Sequence, residues 1–298
     1  MQTLRNIGTA DNQLTTEQGL TIRNAAVSAA QRAFVGRKLF GNSILKIDSG
    51  AQTFGYDTLA EVSAASLEFG WPGRLNMDIL NLTRSTVAIP NLHKETEINK
   101  LDLAASRASG TPLNTSNIAK IAYQVAYLED SMLINGFAAN GTTYSVKGLY
   151  QTGKASGNYD TTGYVWSTPA NIPTVMQANL ALLLADNIQP PYNLTINPTQ
   201  WMQAFAFIGT TAVTYQMWLK EAMQGGDIFV TPAITAGSLM VTAANPEGKF
   251  EYVLAEDVTT QTEIESVKDG EGLFAKVYER GLPVVYDANA ICATDDLT

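Results

Sequence analysis

The chain has 298 residues, enough for one large domain or two modest ones. Its formal charge of -9 argues against sequence-specific DNA binding, which normally shows as a basic patch, and its single cysteine, Cys292, excludes an internal disulfide and a multi-cysteine zinc site. Only 16% of residues are charged, and Thr, Asn, Ser, Ala and Gly take up the difference, giving small neutral polar side chains that are cheap to desolvate over large subunit contacts.

The opening MQTLRNIGTADNQ has no basic segment followed by an apolar block, so no secretory signal is expected and folding in a cytoplasm is. No apolar run approaches the ~20 residues that cross a bilayer, and no membrane association is expected. Residues 15–34 read as a first helix with Leu20, Ala26, Val27, Ala30 and Phe34 on its buried side, ended at Gly36-Arg37. Short alternating pieces (Tyr56, Leu59, Val62) then lead to FGWPGR at 69–74. Gly70, Pro72 and Gly73 favour a turn, while Phe69 and Trp71 are too apolar for a free tip. Two placements stand for that turn: over a neighbouring subunit, or tucked against its own domain. Residues 85–103 alternate (Val87, Ile89, Thr96, Ile98) and predict strands.

The stretch 112–150 is the most informative. Asn114 or Thr115 can cap a helix, Ile118, Ile121, Val125, Leu128 and Met132 recur at helical spacing, and Gly136 sits where a left-handed stop is easy. Glu129-Asp130 falls late in this helix, where the dipole gives carboxylates no help, so specific partners are expected for both. Residues 151–170 read as a polar surface loop or small hairpin. A helix follows over 173–186, with Val175, Met176, Leu180, Leu183 and Leu184 buried. Residues 192–196 form a short strand, and Asn197-Pro198 signals a capped helix running through 207. GTTAV at 209–213 breaks it from a further helix over 214–223. Strands are expected at 238–242, 250–254, 258–263 and 273–279. With no internal repeat, the order fits α+β rather than alternating βαβ.

Several blocks resemble the encapsulins in the right order. Glu129-Asp130, Leu133-Ile134, Gly136 and Gly148-Leu149 are similar to that family's long spine helix and the loop after it. LTTEQ with FVGRKLF (34–40) resembles the N-terminal helix and its GR turn, and LDLAASRASGTP (101–112) the approach to the spine. PPYNLTINPTQW (190–201) resembles a strand-turn-helix, GGDIFVTPAI (225–234) the hairpin entry after it, and GLFAKVYERGLPVVYDANAICAT the closing strands. The resemblance implies a Hong Kong 97-like capsid fold, shared with the major capsid proteins of tailed viruses. Its parts would be an N-terminal arm and helix at 1–53, an extended hairpin loop at 54–90, and a peripheral domain with the spine helix at 91–190. An axial domain at 191–241 and strands returning to the peripheral domain at 242–298 complete it. The tryptophan with which some encapsulins hold flavin is replaced around Asp102, so no cofactor is expected.

Nothing in the chain carries catalysis. GLYQTGKAS (148–156) nearly spells a phosphate-binding P-loop, but Ala155 stands where the magnesium-holding Ser or Thr belongs. His93 is the sole histidine, lies in polar NLHKETE, and has no GxSxG nucleophile to serve. Cys292 reads as a small buried hydrophobe. Glu251, Glu256, Asp257, Glu263, Glu265, Asp269 and Glu271 read as solvated faces or intersubunit pairs, without EF-hand spacing.

The function the resemblance implies is a structural, non-enzymatic one: a major capsid protein self-assembling into an icosahedral shell around a double-stranded DNA genome. The alternative is an encapsulin nanocompartment enclosing enzyme cargo. Length, loops between 138 and 170 and low charge put the virion first, assembled in a host cytoplasm; the alternative is a cytoplasmic nanocompartment. Partners would be copies of itself in hexamers and pentamers, portal, scaffold or decoration proteins if viral, and DNA held without sequence specificity. Phe69, Trp71 and Arg74 are the candidate intersubunit contacts, and Gly209, Thr210, Thr211 and Tyr215 the candidate lining of an axial pore.

Overall fold

The computed structural model describes residues 24, 34–59, 82–98, 108–109, 116–139, 143–160, 163–267 and 270–297. A short helix α1 (Gly36–Phe40) leads into β1 (Ile44–Lys46), then β2 (Thr53–Leu59) and β3 (Leu82–Ala88), which among the described residues pair only with each other. The alternating stretch supplies strands as expected, dividing at Ile89-Pro90, and β4 (Asn91–Ile98) joins a different sheet.

Helix α2 (Ser116–Asn135) is the long spine, and it stops as expected at Gly136, whose φ of 81° is open to glycine but costly for other residues. Its buried stripe runs through Ile118, Ala122, Val125, Glu129 and Met132. Leu128, expected inside, is 42% exposed at the edge of that stripe. The small hairpin β5 (Phe137–Ala139) and β6 (Thr143–Val146) returns the chain to Gly148. Here two glycine backbones meet: a Cβ on Gly148 would overlap the amide N of Gly136, and a Cβ on Gly136 would overlap Gly148 in turn. This contact is the physical reason for the paired glycines after the spine.

The polar insert is not simply a surface loop. Helix α3 (Leu149–Ala155) occupies its start, with Leu149, Tyr150 and Gly153 buried against the last strand of the chain, followed by β7 (Tyr159–Asp160). Helix α4 (Ile172–Ala185) buries Val175, Met176 and Leu183 as expected, whereas Leu184 is 49% exposed. Strand β8 (Tyr192–Ile196) leads through Asn197, whose side chain accepts from the Thr199 amide at 2.9 Å, into α5 (Pro198–Gln203). That helix stops short of 207, because Ile208 N donates to Val213 O (2.9 Å) and Phe207 bridges Thr214, folding the backbone into a turn instead. Thr214 caps α6 (Tyr215–Ala222). Strand β9 (Ile228–Val230) runs parallel to β8, so the expected hairpin entry is a crossover. The remaining strands are β10 (Leu239–Ala243), β11 (Phe250–Val267), β12 (Gly270–Val285) and β13 (Ile291–Thr294). The two short strands expected at 250–254 and 258–263 are one, bent by register shifts between Leu254 and Thr259.

Two sheets organise the molecule, one ordered β1-β11-β12-β4 and one ordered β7-β13-β10-β8-β9. The second sheet is the wall between two hydrophobic cores. Successive strand residues face opposite sides, and accordingly Met240, Ile291 and Ala293 join the core around the spine and β11–β12. Their neighbours Leu239, Val241 and Cys292 join the core formed with Trp166, α4 and α6. Each fully buried Leu, Ile or Phe contributes roughly 1.5–3 kcal/mol, and side chains from both ends of the chain, Leu39 and Leu297 among them, are recruited.

Candidate functional site

The late acidic pair of the spine finds its partners on α1. Asp130 Oδ1 accepts from the amides of Val35 (2.9 Å) and Gly36 (2.5 Å), and Thr231 Oγ1 donates to Oδ2 at 3.3 Å. It thus takes up amides at the start of α1 that have no intrahelical partner. Gly36 is required by this approach, since a Cβ there would press on Asp130 Oδ1 and Leu133. Burial raises the Asp130 pKa, and the amide bonds only partly oppose this. Arg37 completes the junction. Its Nε donates to Glu129 Oε1 (2.5 Å), and its Nη2 to Glu279 Oε1 (2.6 Å) and Asp257 Oδ1 (2.9 Å). Tyr252 OH donates to Glu279 Oε1 at 2.9 Å, and the guanidinium lies 5.9 Å from the Tyr252 ring centroid. Burial disfavours the Arg37 cation, but Glu129, Glu279 and Asp257 more than reverse this and hold its pKa above the usual value. Burial also opposes charge on Asp257, yet Arg37 pulls its pKa below the usual carboxylate value.

A second polar hub closes the end of the chain. Asp295 accepts from Tyr150 OH, Tyr159 OH (2.6 Å), Ser238 Oγ (2.7 Å) and Lys154 Nζ (2.5 Å). The Lys154 ammonium also lies 5.6 Å and 5.0 Å from the Tyr150 and Tyr159 ring centroids. The lysine of the near P-loop therefore sits on a helix and pairs with a carboxylate of its own chain. Sequence spacing could not bring Lys154 and Asp295 together, since they meet only through packing of α3 on β13.

At the far end of the second core, α5, the turn after it and α6 carry an apolar crown. Met202, Phe205, Phe207, Val213 and Met217 are 65%, 51%, 64%, 43% and 61% exposed, with Trp201 edge-on to Phe205. The sequence points to 209–213 as a break and a candidate pore lining, but not to the apolar surface on either side of it. Its signal is the apolar set on either side of GTTAV that no buried stripe claims. Gly209, Thr210 and Thr211 form the exposed tip of the turn, with Gly209 at φ 58°. Tyr215 does not share that tip, being packed into the second core. Phe69, Trp71 and Arg74 lie outside the described residues; the strands leading to them, β2 and β3, form a two-stranded ribbon tied by Arg84 and Asp57 at 3.0 Å.

The remaining chemical candidates have structural explanations. His93 is exposed on β4, opposite Tyr278. Cys292 is buried, its thiol donates to Asn179 Oδ1 at 2.9 Å, and burial pushes its pKa up to about 12. Glu251 accepts from Tyr286, just after β12, and Glu256 from Tyr278 on β12. Of the acids expected on solvated faces or between subunits, Asp257 is 61% exposed and also binds Arg37 within the subunit. Glu263, Glu265 and Glu271 lie on β11 and β12, and Asp269 lies outside the described residues. Among the described residues no three His, Cys, Asp or Glu side chains are arranged to hold a metal ion, and no helix is long and apolar enough to cross a membrane.

Comparison with known proteins gives this arrangement a context. The profile of a family described as encapsulating protein for peroxidase matches residues 5–265. A curated diheme-cytochrome-encapsulin shell fusion protein of Kuenenia stuttgartiensis is 26% identical over 245 residues, covering 80% of this chain and 65% of that protein. The chain thus spans a little under two thirds of that relative's length. Among solved structures, a virus-like particle from Pyrococcus furiosus is similar with a TM-score of 0.66 and 19% identity, over 94% of this chain and 99% of the other. The capsid of Myoviridae phage XM1 gives 0.62 and 11% over 85% and 89%, and a chain of Mycobacterium phage Bobi 0.63 and 13% over 89% and 90%. At these identities the structural likeness speaks for the fold.

Proposed function

The chain belongs to the encapsulin family and has the Hong Kong 97 fold, and from that premise we propose that its copies close into an icosahedral shell. Family and fold are those of shell proteins, which are structural rather than catalytic. The observation that carries assembly is the crown: five large apolar side chains between 202 and 217 stand exposed on one short stretch beside the second core. Apolar patches rimmed by polar residues mark interaction surfaces. Heterologous contacts that rotate into rings allow each copy to cover its neighbour's crown, and a standard interface buries on the order of 1,600 Å².

On this reading residues 191–241 gather at the symmetry axes, with Gly209, Thr210 and Thr211 nearest a pore. Residues 54–90 reach over a neighbour, where Phe69, Trp71 and Arg74 make contact; 1–53 is the N-terminal arm, and 91–190 with 242–298 the periphery. Replacing Phe69 and Trp71 together with Ser is expected to leave a folded monomer that forms no particles. Intact particles from that variant would reject the role of the hairpin loop.

Two contents are compatible with such a shell. The family profile and the curated relative, both described by encapsulation, support an enzyme cargo. The fold-level likeness to phage capsids supports a DNA genome in a virion with portal and scaffold proteins beside it. Fold is shared across functions, so similarity in sequence outranks it, and the cargo reading leads. This reverses the order suggested by chain length and low charge. Particles purified from the native source separate the two: a co-purifying protein guest without nuclease-resistant nucleic acid supports cargo, and protected double-stranded DNA supports the genome.

A further inference from the structure

The Arg37 junction holds more negative charge than one guanidinium can answer. Glu279 is fully buried, its Oε1 already accepts from Arg37 and Tyr252, and its Oε2 has no partner among the described residues. Glu129, also buried, accepts from the same Arg37 guanidinium as Glu279, at 2.5 Å against 2.6 Å. Two carboxylates cannot donate to each other unless one carries a proton, and a buried acceptor left without a donor is costly.

We propose that this junction is a proton-operated latch: one proton shared between Glu279 and Glu129 holds α1 against the spine helix and β12, and its loss on the alkaline side loosens α1. Among the described residues, the groups that face the pair are few. Helix α1 supplies Arg37; the spine supplies Glu129 and Asp130; β11 supplies Tyr252 and Asp257, the latter also near Lys46 of β1. Strand β4 places apolar Leu92 opposite Glu279. Asp257 is 61% exposed, so water screens it and the buried pair governs the site.

With the proton in place, Glu279 is neutral and donates through Oε2 to Glu129, and Arg37 bridges both. Without it, two buried carboxylates repel across one cation. Burial first, and Glu129 second, push the Glu279 pKa well above the usual carboxylate value. A carboxyl raised in the folded state binds its proton more tightly folded than unfolded. Its stabilisation is therefore fully present below the ordinary carboxylate pKa and is lost as pH rises through the raised value. The latch belongs to a single subunit and holds whether or not shells form.

The test compares thermal unfolding of the full chain as wild type, Glu279→Gln and Glu129→Gln, from about pH 4, below the ordinary carboxylate pKa, to about pH 9. An amide at either position mimics the protonated acid, because its nitrogen donates where the shared proton did. The wild type is expected to lose roughly 3 °C per pH unit on the alkaline limb relative to Glu279→Gln. At the acidic end the two are expected to coincide. A wild type and Glu279→Gln that change in parallel across the range would overturn the latch. Should Glu279→Gln fail to fold, Glu129→Gln is read by the same criteria. Failure of both at the acidic end also overturns the latch, since a site that already holds the proton accepts the amide.

Discussion

The spine junction and the crown solve opposite problems. At the junction, charge lies inside: Asp130, Glu129, Glu279 and Arg37 come from three elements far apart in sequence and answer one another within a single subunit. At the crown, apolar surface lies outside: Met202, Phe207 and Met217 are each more than 60% exposed and have no partner core. Buried charges must be satisfied where they are, because leaving one unpaired is costly. Exposed apolar groups can wait for a partner, and that waiting surface is what makes a building block.

If the contrast is right, damage to each region should fail differently. The largest effect is expected at the crown: Phe205→Ser with Phe207→Ser should abolish particles while leaving the monomer's melting temperature within about 2 °C of wild type. Sedimentation together with circular dichroism separates the two outcomes, and particles of normal size would break the comparison. Next is Gly148→Ala. The added methyl would meet backbone atoms of Gly136, Ile134 and Asn135 rather than a yielding side chain, so a loss above ~3 kcal/mol, seen as insoluble or unfolded chain, is expected. Asp130→Ala should follow, destabilising the subunit by about 2–4 kcal/mol in chemical denaturation through unpaired amides at Val35 and Gly36. The smallest effect is chemical: with its thiol pushed up to about 12, Cys292 should resist alkylation in the native protein and react readily once unfolded. Rapid native labelling, followed by mass spectrometry, would show that the second core opens.

The two regions also differ in how far the sequence discloses them. The spine, its glycine stop and Asn197 as a cap are local signals, and each is found where the pattern predicts. The acidic pair could be flagged as needing partners, since carboxylates gain nothing from the end of a helix. Which partners they take could not be read, because Gly36 lies 94 residues from Asp130 and Glu279 lies 242 from Arg37. Helix α3 was obscured by its polar composition; three buried residues and the Asp295 hub fix it through packing. The bent strand β11 appeared as two strands because its register shifts look like a break. Tyr215 was read beside the tip by adjacency alone, while helix α6 turns it into the core.

The central claim is that this subunit is completed by copies of itself, and electron microscopy of the full chain expressed alone tests it most directly. Closed particles with residues 202–217 covered by neighbouring subunits are expected. A population that stays monomeric at high concentration, with those side chains still in water, would contradict it.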